Sequence, residues 1–240
     1  MAAESIADHG AQATTAGDVA ARLAAVKGEI AAAARRAGRA AEQITLVAVT
    51  KTHAADRILP ALVAGHRHFG ENRVQEAEAK WPALRAAYPD LVLHLIGPLQ
   101  RNKARRAVRL FDVIETLDSA ELARALARIM AEEGRRPEVY VEVNIAAEPQ
   151  KAGADPAETP ALVRLARDAL GLPVVGLMAI PPVGRAPAPY FARLRALAAE
   201  CGLAGLSMGM SDDFAIAIAE GATSVRIGTA IFGHRPAADD

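Results

Sequence analysis

The chain has 240 residues, with Lys plus Arg and Asp plus Glu both at 28, and a hydrophobic share of 52 %, much of it alanine. Zero net charge removes the electrostatic footprint expected of a general nucleic-acid binder, and no apolar run approaches the roughly 18 residues needed to span a bilayer. The single cysteine, Cys201, excludes an internal disulfide framework and fits a reducing compartment. Residues 1–16 have no basic start and no apolar centre, so they read as a disordered tail on a cytoplasmic protein rather than a signal peptide.

Val19, Leu23, Val26 and Ile30 recur at helical spacing, which predicts an amphipathic helix from Asp18 to Arg36 stopped by Gly38. Ile44 to Lys51 is a β-branched, apolar run with two greasy faces, as in a parallel strand covered by helices. It ends on a lysine, at the end of a strand where α/β folds place their chemistry. A helix follows from Ala55 to Ala64, then a short strand His66 to Phe69 closed by Gly70-Glu71-Asn72, and a helix Val74 to Ala87. The third strand is Leu91 to Ile96, followed by a basic helix Asn102 to Leu110 and a fourth strand Asp112 to Thr116. Ser119 is the expected N-cap of the next helix, and Glu138 to Ile145 alternates as strand five.

The second half repeats the pattern: helix Thr159 to Leu170, strand Val174 to Ile180, a helix around Phe191 to Ala198, and strand Leu203 to Met208. A helix Asp212 to Ala219, entered through Ser211, and strand Thr223 to Ile227 complete it. About eight strand–helix units with short links predict a single (β/α)8 TIM barrel over residues 17–235 with one extra N-terminal helix, and 236–240 as a tail. A doubly wound open sheet is the alternative.

In such a barrel the site is built from the residues just past each strand's C-terminal end: Lys51, Asn72, Gly97, Thr116, Asn144, Met178, Ser207 to Ser211 and Arg226 to Thr229. The last two groups carry glycines for close backbone approach, hydroxyls from Ser207, Ser211 and Thr229, and helix starts, which suits a phosphate. A phosphate cradle beside a strand-end lysine suggests pyridoxal phosphate, whose aldehyde takes a lysine amine as a Schiff base. Arg226 lies on the strand face opposite to Ile227 and can point inward at the cofactor ring. The same features also fit plainer roles: Ser211 as an N-cap, the glycines as turns, Arg226 as a rim ion pair, and Lys51 as a lysine reaching solvent.

Seven segments bring these residues into a known order: Leu46 to Lys51, Phe69 to Glu76, His94 to Lys103, Val143 to Ile145, Gly176 to Ile180, Leu206 to Asp212 and Val225 to Gly233. In these the chain resembles the pyridoxal phosphate homeostasis protein family, which is similar to the barrel domain of alanine racemase. The resemblance implies that Lys51 forms the Schiff base, that Asn72 lies near the cofactor, and that Ser207, Ser211, Gly228 and Thr229 hold its phosphate. It implies that Arg226 faces the ring nitrogen. Arg73, Leu93 and the pair His53-Ala54 depart from the family's usual residues at the rim.

The function this resemblance implies is intracellular binding, buffering or delivery of pyridoxal 5′-phosphate by a monomer, with apo-enzymes as recipients, no nucleic-acid or membrane partner, and no turnover of its own. A working racemase or lyase is the alternative. The stretch after the last strand separates the two, because about ten residues are too few for a domain that covers the cofactor. The three tyrosines, Tyr88, Tyr140 and Tyr190, offer no clear second acid or base. Among rival features, His66 and His68 could begin a metal site but lack further ligands at strand ends, so no metal is expected. Arg101 to Arg106 reads as a solvated helix face, Lys151 as an exposed loop residue, and Cys201 as packing.

Overall fold

The structure, a computed structural model, describes residues 16–233. The expected tails, 1–16 and 236–240, lie outside these residues, except for Ala16, which opens the first helix. Eight parallel strands close into a barrel in chain order. They are β1 (Thr45–Val49), β2 (His68–Glu71), β3 (Val92–Leu95), β4 (Val113–Leu117), β5 (Glu138–Glu142), β6 (Val174–Met178), β7 (Gly205–Ser207) and β8 (Ser224–Ile227). β1 closes the barrel against β8, with Thr45 beside Ser224 and Ala48 beside Ile227. The open-sheet alternative is therefore excluded.

The two faces of each strand serve different cores. Leu46 and Ala48 of β1 join the layer between sheet and helices. Val47 points into the barrel, where its Cγ1 lies 2.9 Å from the place a Cβ on Gly70 would occupy. Gly70 is thus small because the barrel axis is already filled from β1 and from Ile96.

The helices are α1 (Ala16–Arg36), α2 (Ala55–Val63), α3 (Val74–Ala87), α4 (Ala104–Leu110), α5 (Ala120–Glu133), α6 (Thr159–Arg164), α7 (Ala188–Glu200), α8 (Phe214–Ala219) and α9 (Thr229–Phe232). Val19, Leu23, Val26 and Ile30 of α1 are all buried, each worth about 1.5–3 kcal/mol on transfer from water. That face covers the seam where the first and last strands meet, packing on α2, α8 and α9. Gly38 stops the helix with φ +66°, and Arg39 then donates to the carbonyls of Ile218 in the last turn of α8 and of Ala222 just beyond it. Ser119 caps α5 as expected, accepting from the Leu122 N–H at 3.3 Å.

Several boundaries differ from the sequence reading. β2 begins at His68 and runs through Gly70-Glu71, because these residues pair with β3 despite their turn-like composition. β5 ends at Glu142 rather than Ile145, and α8 begins at Phe214 with Asp213, not Ser211, before it. The Asp213 carboxylate accepts from the Met210 N–H at 2.6 Å, which uses the chain from Met210 to Asp213 for a turn. Among the described residues no helix is long and apolar enough to cross a membrane.

Candidate functional site at the barrel mouth

Lys51 stands just beyond β1, half-buried, in a tight turn closed by the His53 N–H on the Thr50 carbonyl at 3.1 Å. Its neighbour Thr52 has φ +67°, a left-handed conformation that a β-branched residue adopts only when its surroundings hold it there. The holding group is Lys80, reaching up from α3. Its ammonium donates to the Thr50 carbonyl at 2.9 Å and the His53 carbonyl at 2.8 Å, so it grips both ends of the turn. Glu71 (2.7 Å) and Glu76 (3.3 Å) balance its charge, and Glu76 also accepts from the Thr52 N–H. Glu71 is wholly buried and accepts from Thr50 Oγ1 and Trp81 Nε1 as well. Burial pushes its carboxyl above the ordinary value, against the pull of Lys80, Thr50 and Trp81.

The turn is tied to the loop after β8. Arg57 at the start of α2 donates to the Phe232 carbonyl at 2.6 Å, and the His53 and Phe232 rings lie 5.2 Å apart. Gly228 sits so close to Val49 that an added Cβ would be 3.2 Å from its carbonyl oxygen. Lys51, Gly228 and the exposed Thr229 therefore share one corner of the mouth, with half-buried Ser211 on the loop after the adjoining β7. Gly209 in that loop has φ +96°, and a Cβ there would meet Ala217 Cβ at 2.6 Å, so only glycine fits.

Asn72 follows β2. Its Oδ1 is buried without a hydrogen-bond partner, an acceptor that a bound molecule with a donor could satisfy. Gly97 packs directly on it, with an added Cβ only 2.3 Å from the Asn72 carbonyl oxygen. A surface cavity of about 670 Å³ opens beside Asn72, between the loops after β2 and β3.

Below this corner, Arg226 points into the barrel and is 4 % exposed. Its guanidinium donates to Ser207 Oγ at 2.6 Å and to the Ala179 carbonyl at 3.0 Å. Ser207 Oγ donates in turn to Glu115 Oε2 at 2.6 Å. His94 Nδ1 lies 2.7 Å from Glu115 Oε1, and His94 Nε2 lies 3.1 Å from His68 Nδ1. Burial pushes the Glu115 carboxyl up, yet hydrogen bonds from His94 and Ser207 and the charges of His94 and Arg226 hold it below the ordinary value. Burial also lowers Arg226, opposed by Glu115, Glu142 and Asp213. A guanidinium remains charged regardless.

Glu142, at the end of β5, has one carboxylate oxygen buried and unpartnered. Burial first, and then the charge of Asp118, push it up to about 7 against the pull of Arg226. The sequence reading missed Lys80, Glu115, His94 and Glu142. For Glu115 a signal existed: a lone carboxylate inside the apolar strand Val113–Leu117 needs a partner.

Other expected strand-end residues serve the scaffold. Asn144 accepts from the Glu148 N–H and donates to the Glu148 carbonyl. Lys151 pairs with Glu148 at 2.5 Å. Arg105 and Arg106 pair with Glu132, Glu133 and Glu78 on neighbouring helices, as a solvated ion-pair face. His66 lies before β2 on the His68 carbonyl, and His68 faces His94. Among the described residues no group of three or more His, Cys, Asp or Glu could hold a metal.

Residues 22–236 match the family described as alanine racemase, N-terminal domain. The pyridoxal phosphate homeostasis protein of Pseudomonas aeruginosa is 42 % identical over 225 residues, covering 90 % of this chain and 96 % of that one. PipY of Synechococcus elongatus, solved without and with PLP bound, is 43 % identical across 90 % of this chain and 100 % of its own, with TM-scores of 0.81 and 0.77. An alanine racemase of Clostridium difficile shares the fold alone, at 16 % identity and TM-score 0.69 over 93 % of this chain and 58 % of the racemase. The chain therefore belongs to the alanine racemase N-terminal domain family, and within it to the pyridoxal phosphate homeostasis proteins.

Proposed function

We propose that this chain binds pyridoxal 5′-phosphate at the barrel mouth and holds, buffers or hands on the cofactor to apo-enzymes without substantial turnover of its own. The observation that carries this reading is the β1–β8 corner, where a strained and clamped Lys51 turn lies against Gly228 and above an inward-pointing arginine. The PLP-bound PipY structure, at 43 % identity over its full length, supports the same ligand. Unpartnered Asn72 Oδ1 beside that corner is an acceptor that the ring substituents could satisfy.

Bound pyridoxal phosphate supplies an aldehyde that condenses reversibly with a lysine amine, and a phosphate that takes several donors. Lys51 would hold the aldehyde end, Ser211, Thr229 and the Gly228 N–H the phosphate, and Arg226 the ring nitrogen. An arginine there donates and cannot neutralise a protonated ring, so the ring is a weak electron sink. Racemisation needs an acid or base on each face of the substrate carbon. Tyr140 lines a cavity at the opposite end of the barrel, Tyr88 lies under the Arg67 guanidinium, and Tyr190 packs on the core from α7. One thiol, Cys201, buried at the end of α7, suits work in the cytoplasm.

One observation favours amino-acid chemistry as a second reading: Glu142, at the end of β5, has a buried, unpartnered carboxylate oxygen, and burial pushes this carboxyl up to about 7. The two readings are separated by loading the protein with pyridoxal phosphate, confirming a visible absorption band, and following Cα–H exchange of L- and D-amino acids in heavy water. The binder reading expects a band with negligible exchange. Exchange at about 1 s⁻¹ or faster, lost in Lys51→Ala, establishes the enzyme instead.

A further inference from the structure

The Ser207 hydroxyl has one proton, and Glu115 Oε2 receives it at 2.6 Å. Its oxygen already accepts from Arg226 Nη1 at 2.6 Å. A phosphate oxygen can only accept, so serving it would take that proton from Glu115. Glu115 is fully buried, and Arg226 Nη1 is 3.9 Å from Oε2, too far to replace the lost bond. Ser207 itself is also fully buried. The cost of orphaning a buried carboxylate oxygen is of the same size as the hydrogen bond a phosphate would gain.

We propose that Glu115 and Ser207 are positioning residues for Arg226: Glu115, gripped by His94, orients the Ser207 hydroxyl, and the two fix the guanidinium that meets the cofactor ring. Ser207 thus serves the ring end of the ligand and not its phosphate. This assignment rests on the pyridoxal phosphate reading above. Three strands converge to build it, with Glu115 from β4, Ser207 from β7 and Arg226 from β8, while the Ala179 carbonyl beyond β6 takes the remaining bond.

The charge balance is set by the same contacts. Arg226 faces Glu115 of β4, Glu142 of β5 and Asp213 before α8. Glu115 faces His94 of β3, Arg226 of β8, and Tyr140 and Glu142 of β5. His68, at the far end of the chain of bonds, is lowered to about 4 by burial and by His94, so it is neutral near pH 7. It opens to a cavity of about 410 Å³ at the N-terminal end of the barrel, opposite to the mouth. Glu115 is therefore the anion nearest to Arg226, and removing its charge leaves the guanidinium field less compensated at the ring nitrogen.

The test uses Glu115→Gln, which keeps the shape, and Ser207→Ala, with Ser211→Ala for comparison. Before loading, arginine-selective 15N spectra should show one guanidinium with resolved, slowly exchanging Nη protons, absent in Arg226→Lys and broadened in both positioning variants. An Arg226 signal as mobile in the wild type as in the variants overturns the proposal, whatever the ligand is. After loading with ring-15N-labelled pyridoxal phosphate, Glu115→Gln should lower the pH of ring-nitrogen protonation by about one unit. Both positioning variants should keep the wild-type preference for pyridoxal phosphate over pyridoxal within about twofold, an energy difference below a single hydrogen bond. Loss of that preference by about tenfold in Ser207→Ala, with the ring-nitrogen titration unchanged, returns Ser207 to the phosphate and overturns the proposal. A wild type that takes up no pyridoxal phosphate refutes the ligand reading, while the guanidinium signal still decides the positioning of Arg226.

Discussion

Replacing Lys80 by methionine should cost the unloaded barrel about 3–5 kcal/mol, the usual loss when one partner of a buried ion pair is removed. Methionine keeps most of the buried stem, so the loss is electrostatic. The ammonium side chain is 8 % exposed and lies 2.7 Å from Glu71, which is 0 % exposed. It also donates to the Thr50 and His53 carbonyls, charge-assisted bonds of about 1.5–3 kcal/mol each. Glu71 limits the total, because its carboxyl is already pushed up and can take a proton once its cation is gone. Without the grip, the Lys51 turn also loses what holds Thr52 at φ +67°. Urea unfolding of Lys80→Met, Glu71→Gln and the double variant forms a cycle that isolates the pair. Strong coupling is expected, with the double variant more stable than the sum of the singles. A loss in Lys80→Met below about 1 kcal/mol, the worth of an exposed ion pair, or strict additivity, would refute the clamp.

The same geometry sets other outcomes. Gly97→Ala should destabilise by about 1–3 kcal/mol and weaken cofactor uptake, since its Cβ would stand 2.3 Å from the Asn72 carbonyl oxygen; thermal melts and binding titrations check both. Glu142 keeps its proton to about 7 in the folded state, against 4.5 ordinarily, so it costs stability as pH rises through that window. Glu142→Gln should therefore stabilise the unloaded protein by up to about 3 kcal/mol near pH 8 and hardly at all near pH 4; an equal effect at both ends refutes this. Pyridoxal lacking the phosphate should bind at least about tenfold more weakly, one charge-assisted hydrogen bond being worth about 1.5–3 kcal/mol. Equal affinities in a competition titration would remove the loops after β7 and β8 from the site.

The barrel was legible in the sequence because most strands bury both faces and read as short apolar runs between helical patterns, with β5 alternating instead. Edges were less so. Gly70-Glu71 reads as a turn by composition yet lies in β2, since Glu71 finds Thr50, Lys80 and Trp81 on the helix side. Ser211 reads as a helix cap, but the Met210–Asp213 turn takes its place. Strand-end placement located Lys51, Asn72, Arg226 and Gly228 at the mouth or just below it. It could not locate Glu115, whose partners His94, Ser207 and Arg226 come from three other strands, or Lys80, whose pairing with Glu71 and grip on the Thr50 and His53 carbonyls form only when α3 packs beside the Lys51 turn. Long-range pairing of buried charges leaves no periodic trace along one chain.

The most direct measurement is borohydride reduction of the protein loaded with pyridoxal phosphate, followed by peptide mapping. A single pyridoxyl adduct on Lys51 is expected, with loss of both the adduct and the visible band in Lys51→Ala. An adduct on Lys80, Lys103 or Lys151 with Lys51 unmodified would contradict it.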